Sequence, residues 1–384
     1  MILRQFWLKK IEKAWVKKSL IWLTGVRRVG KTSLAKSLED IEYYDCELNR
    51  TRSAIENDAE GFLNSIKKRT LVLDEIHRLE NPSELLKIAV DHYPQLKILA
   101  TGSSTLGASK KFQDTLTDRK IEIRLRALMS EDLLAFKKAG YDFTWDHRFL
   151  HGGLPPFYME EEFPEYGLQE WLDSYWAKDV QELFNLGNKA AFQKFIQLVF
   201  LQSGGIFEAT SFASPCGVSS PTIKNYLNIL QETFVVNSLK PFFSNKAKEI
   251  ISAPKVYAFD TGMVAYYKNW DSIRDEDRGY MWEHFVLNEL IAQLDFKEIN
   301  YWRDKKKREI DFVLHKRGQD GPIAIETKWQ SKNFDAKNLL AFRDLYPEGL
   351  NYLVANDISK TYEKEFKGAK VRFVSLSDLV KELG

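Results

Sequence analysis

Residues 25–32 are Gly-Val-Arg-Arg-Val-Gly-Lys-Thr, which matches the phosphate-binding loop pattern G-x-x-x-x-G-K-[ST]. Glycines let such a loop curl so that backbone N–H groups point at phosphate oxygens, and the helix that follows adds the positive end of its dipole. The apolar run Leu20–Thr24 predicts a buried strand before the loop, and residues 33–38 predict a helix after it. This strand–loop–helix order predicts a site for ATP or GTP.

The side chains of this loop have separate expected roles at the nucleotide. Lys31 is expected to reach the β- and γ-phosphates, and the Thr32 hydroxyl to complete the coordination shell of a Mg²⁺ ion. The residues predicted to contact the nucleotide here are Gly25, Val26, Arg27, Arg28, Val29, Gly30, Lys31, Thr32 and Ser33.

A second apolar run ends in two acids. Residues 70–76 are Thr-Leu-Val-Leu-Asp-Glu-Ile, typical of a buried strand that stops at Asp74 and Glu75. In phosphate-loop ATPases an aspartate at this place meets Mg²⁺ and a glutamate polarises the attacking water. We therefore predict that Asp74 binds the metal and that Glu75 is catalytic.

Two further features extend the predicted ATPase site. The apolar run Lys97–Thr101 predicts a third strand that ends beside the phosphates, so Thr101 or Ser103 is predicted to sense the γ-phosphate. Arg119 precedes a strand predicted at residues 120–125, and it is a candidate arginine finger that acts on a neighbouring subunit of a homo-oligomer. The alternative for Arg119 is an ordinary surface arginine.

Composition limits the remaining possibilities. The chain has 384 residues, with 44% hydrophobic and 29% charged residues, which is typical of a globular protein with two or three domains. Its net charge of +2 is too small to imply a nucleic-acid partner by bulk electrostatics. Cys46 and Cys216 lie far apart without metal-ligand spacing. No segment approaches the length of about 20 apolar residues that spans a membrane, so we expect a cytoplasmic protein without a membrane partner.

The middle of the chain predicts a winged helix-turn-helix. Residues 208–212 predict a short helix, 214–217 a turn, 222–232 a second helix and 234–242 a wing. The second helix would enter the major groove of DNA and present Lys224 and Asn225 on its polar face. DNA contact and a purely architectural role in protein contacts both remain open from the sequence.

A second candidate active site lies near the C-terminus. Residues 308–315 and 323–329 alternate like strands and flank a turn signal at 318–321. A symmetric hairpin would place Asp311 near Lys328, with Glu326 on the same face. Two acids and a lysine suit a second Mg²⁺, or a Mn²⁺, that cleaves phosphodiesters, and Glu283 on a helix predicted at 280–294 could add a further carboxylate. The alternative is an exposed ladder of ion pairs.

The ordered set of these motifs is specific to a family. The marks are residues 25–34, 72–76, 100–104, 152–155, 259–262, 278–290, 309–314 and 325–328. Together they resemble prokaryotic AAA+-like ATPases of the AAA_14 type, whose C-terminal domain, DUF4143, belongs to the PD-(D/E)xK nuclease-like superfamily. The resemblance implies that Asp311 is the central aspartate, that Glu326 and Lys328 form the E-x-K, and that Glu283 is the helix acid.

The predicted fold class is α/β, with four domains. They are a P-loop AAA+-like parallel-sheet ATPase domain at 1–128, a helical lid at 129–188, a winged helix-turn-helix at 189–245 and a restriction-endonuclease-like domain at 246–384. The predicted function is an ATP-hydrolysing protein that acts on DNA, with metal-dependent nuclease activity in defence or mobile-element handling as its extension. The alternative is a nucleotide-dependent switch whose nuclease-like domain only binds protein or nucleic acid.

Overall fold

The computed structural model describes residues 2–102, 116, 118–141, 143–181, 184, 186–244, 252–294, 298–315 and 318–384. The described chain forms two compact units. The first contains residues 1–143, 154–189 and 225–235, and the second contains residues 144–153, 190–224 and 236–384.

The first unit is built on a five-stranded parallel sheet in the order β2-β3-β4-β1-β5. Its strands are β1 (Leu20–Thr24), β2 (Ile41–Asp45), β3 (Thr70–Asp74), β4 (Lys97–Thr101) and β5 (Lys120–Arg124). All residues of β1 and β3 are buried, whereas the edge strands β2 and β5 are largely half-buried. The burial of β1 and β3 explains why these two strands are mostly apolar, because a parallel sheet covered on both faces needs apolar residues throughout its central strands.

The helices of the first unit are short. They are α1 (Gln5–Trp15), α2 (Lys31–Lys36), α3 (Asn49–Asn57), α4 (Ala59–Ser65), α5 (Pro82–His92), α6 (Ser130–Lys138), α8 (Pro155–Tyr158) and α9 (Glu165–Tyr175). A 3₁₀ turn (Ile76–Arg78) follows β3, and a π-helical stretch (Trp176–Gln181) continues α9. The helix predicted at 33–38 begins two residues earlier, directly at Lys31.

The second unit contains α7 (Trp145–His151), a small three-stranded antiparallel sheet and a larger mixed sheet. The small sheet has the order β6-β8-β7, from β6 (Gly205–Ile206), β7 (Val236–Leu239) and β8 (Lys255–Ala258). Three helices come from the same stretch of the chain, α10 (Lys189–Leu201), α11 (Ala209–Cys216) and α12 (Ser220–Glu232). Residues 220–224 of α12 are assigned to the second unit and residues 225–232 to the first.

The pattern of α12 agrees with its expected amphipathic character. Ile223, Tyr226, Leu227 and Leu230 are buried, while Lys224 and Asn225 are exposed. The turn expected at 214–217 is instead the last turn of α11. Pro215 lies inside this helix, which ends at Cys216, before Gly217 in the left-handed region with φ 66°.

The larger sheet is six-stranded, in the order β13-β14-β12-β11-β10-β9. Its strands are β9 (Ile299–Arg303), β10 (Glu309–Leu314), β11 (Ile323–Lys328), β12 (Asn351–Ala355), β13 (Tyr362–Phe366) and β14 (Ala369–Val374). The helices of this region are α13 (Thr261–Lys268), α14 (Asp275–Gln293), α15 (Lys337–Arg343) and α16 (Leu376–Leu383), with a 3₁₀ turn at Ser331–Asn333. The central strands are almost wholly buried.

The four-domain division stays a prediction. Its boundary at 245/246 falls between β7 and β8, which pair with each other over four residues on each side. The predicted ATPase and lid segments also lie within the first unit, except for residues 144–153. No helix in the described ranges is both long and apolar enough to cross a membrane.

Candidate functional site

The phosphate loop connects β1 to α2. Gly25 has φ 145°, and a Cβ there would lie 2.6 Å from the Leu125 carbonyl oxygen, so only glycine fits. Gly30 precedes α2 in the left-handed region with φ 98°, which side-chain-bearing residues rarely adopt. The Lys31 ammonium is buried and donates to the carbonyl oxygens of Gly25 and Val26, at 2.8 and 3.2 Å. The loop is thus fixed by its own lysine.

Asp74 is held by three hydroxyl groups at the carboxyl edge of the sheet. Thr32 Oγ1 donates to Asp74 Oδ2 at 2.8 Å and the Tyr43 hydroxyl donates to the same oxygen at 2.5 Å, while Thr101 Oγ1 donates to Oδ1. The parallel register of β2, β3 and β4 brings these groups together. Tyr43 has no motif around it in the sequence, which is why sequence reasoning missed it.

Glu75 follows Asp74 in a strained conformation. Its φ of 52° lies in the left-handed region, which is uncommon for a residue with a side chain. Its backbone N–H donates to Thr101 Oγ1 at 3.1 Å, so Thr101 links the two acids. Burial raises the pKa of the Glu75 carboxyl, against the opposing charge of Lys31. His77 Nδ1 lies 3.1 Å from Glu75 Oε2, and burial lowers the pKa of His77 to about 4, so its ring is neutral at pH 7.

Ser103 and Arg119 were predicted as a sensor of the γ-phosphate and as an arginine finger. Ser103 lies outside the described residues. Arg119 contacts Asp91 through Nε–Oδ1 and Nη2–Oδ2, at 2.9 and 3.2 Å. It precedes the amino end of β5, whereas the phosphate loop follows the carboxyl end of the parallel strand β1. In its own subunit Arg119 therefore lies at the opposite edge of the sheet, and its action on a neighbour stays a prediction.

The arrangement fits a Mg²⁺–nucleotide complex. Thr32 and Asp74 would hold the metal, and Lys31 and the loop N–H groups would bind the phosphates. A bound Mg²⁺ would neutralise charge on the β- and γ-phosphates. Glu75 directly follows Asp74, and its role in orienting a water molecule stays a prediction.

A second group of charged residues lies in the six-stranded sheet. The antiparallel register pairs Phe312 with Ile325 and Val313 with Ala324, so Asp311 lies across from Glu326 on the same face. The symmetric hairpin predicted from the sequence, which placed Asp311 opposite Lys328, was wrong by two residues. Leu314 pairs with Ile323, so the observed pairing is centred between residues 318 and 319, one residue before the centre of the turn signal at 318–321.

Asp311 and Glu326 are both buried acids with raised pKa values. Burial and the nearby charge of Glu283 raise the pKa of Asp311, whose Oδ2 accepts from the N–H and hydroxyl of Thr327 at 2.7 and 2.8 Å. Burial and the charge of Asp311 raise the pKa of Glu326 to about 8. Glu326 Oε1 is buried and has no hydrogen-bond partner among the described residues, while Oε2 lies 3.3 Å from Lys328 Nζ.

The predicted helix acid, Glu283, is engaged elsewhere. Its Oε1 accepts from the Tyr257 hydroxyl at 2.6 Å and from Lys255 Nζ at 3.2 Å. Lys255 also contacts Glu309 Oε1 at 2.6 Å. Burial alone would lower the pKa of Lys255, but these carboxylates outweigh it and the pKa is raised. Sequence reasoning missed Lys255 and Tyr257, since neither belongs to a recognisable motif.

Asp311 and Glu283, but not Glu326, line a cavity of about 380 Å³. Its lining includes Glu283, Asp311, Lys328, Trp329 and Gln330. Among the described residues, no three Asp, Glu, His or Cys side chains converge closely enough to form a complete metal centre. The structure thus brings Asp311, Glu326 and Lys328 together, whereas the role of Glu283 as a metal ligand stays a prediction.

Three segments of the chain match known families. Residues 17–134 match the model of an AAA domain. This segment contains the phosphate loop and the five-stranded parallel sheet. Residues 142–274 match a domain of unknown function, DUF8612, and residues 278–377 match another, DUF4143. The resemblance inferred from the sequence is therefore confirmed for the AAA domain and for DUF4143.

The known relatives are distant. An uncharacterized protein of Mycobacterium bovis and one of Mycobacterium tuberculosis are each 26% identical over 334 residues, which is 83% of this chain and 72% of theirs. A Walker-type ATPase of Pyrococcus abyssi is 16% identical with a TM-score of 0.44, over 70% of this chain and 96% of its own. The Orc1 protein of Aeropyrum pernix, solved with DNA, is 14% identical with a TM-score of 0.30, over 71% and 93%.

Proposed function

We propose that this protein is an ATP-hydrolysing enzyme that acts on DNA and cleaves phosphodiester bonds with a divalent metal in its DUF4143 region. The observation that carries the nuclease proposal is the buried, unpartnered oxygen of Glu326 across from Asp311. A buried carboxylate oxygen without a partner is costly, and a metal ion would satisfy it.

The acid pair suits Mg²⁺ without a third acid. Mg²⁺ keeps several water molecules and is usually bound by one or two carboxylates plus substrate phosphates. Asp311 and Glu326 would hold the ion, which would act as a Lewis acid on a phosphodiester. Lys328, beside Glu326, is placed to stabilise negative charge as it develops.

The proposal that the protein acts on DNA is supported by the element order α10-β6-α11-α12-β7-β8 with sheet order β6-β8-β7. We propose that these elements form a winged helix, in which the exposed Lys224 and Asn225 of the second helix of the helix-turn-helix would be available to DNA. ATP with Mg²⁺ as cofactors, a cytoplasmic setting and homo-oligomerisation belong to the same proposal.

The test is a cleavage panel with the full chain. Single-stranded, duplex and branched DNA are incubated with Mg²⁺ or Mn²⁺, each with and without ATP, beside the Asp311→Asn protein. We expect metal-dependent cleavage by the wild-type protein alone, and ATP turnover that DNA stimulates. A wild-type protein that cleaves no DNA and binds no Mn²⁺ at millimolar concentration refutes the nuclease proposal.

The second candidate is a nucleotide-dependent switch whose DUF4143 region only binds a partner. The pairing of Glu283 with Lys255 and Tyr257 favours it, since an acid neutralised by a lysine attracts a metal less. DNA-stimulated ATP turnover without any cleavage would support this alternative.

A further inference from the structure

Two neighbouring arginines of the phosphate loop have different surroundings. Arg28 pairs through Nη2 with Glu170 at 2.7 Å, and the Glu170 side chain is 52% exposed. Arg27 instead pairs through Nε with Asp179 of the π-helical stretch, and the Asp179 side chain is only 3% exposed. The Arg27 side chain is 25% exposed, so its pair with Asp179 is partly shielded from solvent, whereas a fully exposed surface pair contributes little.

The guanidinium of Arg27 is anchored at one end and open at the other. Its Nε is held by Asp179, while its two terminal nitrogens make no further hydrogen bond to the residues that the structure describes. The backbone at Arg27 is fixed as well, because the Trp171 indole N–H donates to the Arg27 carbonyl oxygen at 3.0 Å. A guanidinium with both terminal nitrogens available matches the geometry of a phosphate and can bind it with two parallel hydrogen bonds.

The charges place this guanidinium among the groups that would surround a terminal phosphate. Burial lowers the pKa of Lys31, and the positive charge of Arg27 adds to this, whereas Glu75 and Asp179 oppose it. Arg27 also acts electrostatically on Glu75 and on His77. Asp179 close to Lys31 would repel a polyphosphate unless its charge were compensated, and Arg27 provides that compensation.

We propose that Arg27 contacts the terminal phosphate of ATP in its own subunit and stabilises the charge that develops there during hydrolysis, with Asp179 as its positioning residue. Asp179 lies in a π-helical stretch, a type of local irregularity that is frequent at functional sites. Arginines that stabilise the transferring phosphoryl group raise turnover by roughly 10³–10⁵-fold in related chemistry. The predicted finger Arg119 does not supply this charge in the same subunit, since it lies at the opposite edge of the sheet.

The test compares Arg27→Ala with Arg50→Ala, a control at an exposed arginine of α3 that is not among the residues predicted to contact the nucleotide. Affinities for ATP and for ADP are measured by calorimetry with Mg²⁺, together with kcat and KM. We expect Arg27→Ala to lower kcat by at least roughly 100-fold and ATP affinity far more than ADP affinity, because only ATP carries the terminal phosphate. Arg50→Ala should leave the ratio of ATP to ADP affinity and kcat within about threefold of wild type. Equal behaviour of the two variants would overturn the proposal.

Variants of Arg27 and Asp179 distinguish a role in positioning the guanidinium from a purely structural role. Arg27→Lys keeps the charge but loses the planar guanidinium, so it should bind ADP normally and still lose most of kcat. Asp179→Asn should lower kcat more than it raises KM, and Asp179→Glu should restore part of the loss. If instead thermal melting falls while kcat of the folded protein is unchanged, the pair is only structural and the proposal fails. The inference rests on nucleotide binding by the AAA domain, so a wild-type protein that binds no ATP would refute the proposed ATPase itself.

Discussion

The phosphate-loop site and the Asp311–Glu326 site both combine carboxylates with a lysine. They differ in how many hydrogen bonds and opposite charges compensate those carboxylates. In the first, Asp74 accepts three hydroxyl hydrogen bonds and Lys31 is bound to two backbone carbonyl oxygens. In the second, two buried acids face each other with raised pKa values, and Glu326 keeps an unpartnered oxygen.

This difference indicates what each site requires. In the phosphate-loop site Asp74, the proposed metal ligand, is oriented by hydrogen bonds, and Lys31 and Arg27 bring the positive charge that a phosphate would need. The Asp311–Glu326 site has an excess of buried carboxylates and is completed by a cation, either a metal ion or a proton. The first site is therefore preorganised, while the second depends on what binds to it.

The largest expected effect concerns the preorganised site. Lys31→Ala should weaken ATP binding by roughly 100-fold or more, because it removes the charge that meets the phosphates. Glu75→Gln should keep ATP bound and lower turnover by roughly 10²–10⁴-fold, because it removes the carboxylate that orients water. Calorimetry and a phosphate-release assay measure both.

The control for these variants is Lys87→Ala, an exposed lysine of α5 without a predicted contact to nucleotide. It should bind and hydrolyse ATP normally. Hydrolysis at the wild-type rate by Glu75→Gln would show that Glu75 is not the acid that activates water.

The second prediction tests whether the Asp311–Glu326 site is completed by a metal. Asp311→Asn and Glu326→Gln should each lower Mn²⁺ affinity by at least about 100-fold, since changes in groups behind the ligands alone cost about 10–100-fold. Lys328→Ala should keep Mn²⁺ binding and lower DNA cleavage, because the lysine acts on developing charge rather than on the ion. Lys332→Ala, a nearby exposed lysine, is the matched control.

The two sites also differ in how far the sequence predicts them. The phosphate loop and the strands Leu20–Thr24 and Lys97–Thr101 were predicted at their observed bounds, because short contiguous motifs carry their own geometry. The Asp311–Glu326 pair depends on hairpin register, which a turn signal does not determine, and the predicted register was off by two residues. Asp179 and Lys255 could not be assigned from sequence, since their partners lie 152 and 28 residues away.

A third prediction concerns protons at the second site. The pKa of Glu326 in the folded protein, about 8, lies above its ordinary value of 4.5, so the folded state holds this proton more tightly than the unfolded state. The resulting stability is complete below about pH 4.5 and is lost as the pH rises through about 8, with each unit worth about 1.4 kcal/mol. Glu326→Gln should therefore gain stability over wild type by a few kcal/mol between about pH 5 and pH 8.

Chemical unfolding at a series of pH values measures this gain. Glu363→Gln, on the exposed edge strand β13, should show no such dependence. Mn²⁺ should release a proton when it binds the wild-type protein, because the ion and the proton compete for Glu326. A stability difference that does not change with pH would contradict a buried acid of raised pKa.

The smallest expected effect concerns α12, where neither site lies. Lys224→Ala combined with Asn225→Ala should weaken DNA binding several-fold and leave ATP affinity unchanged, since both side chains are exposed on the polar face of the helix. The loss should be larger at low salt if Lys224 contacts phosphate, because each phosphate contact adds to the salt dependence of binding. Fluorescence anisotropy at two salt concentrations measures it, with the exposed Lys337→Ala as control. Unchanged DNA affinity in the folded double variant would mean that α12 packs the protein together without touching DNA, which favours the switch over the nuclease.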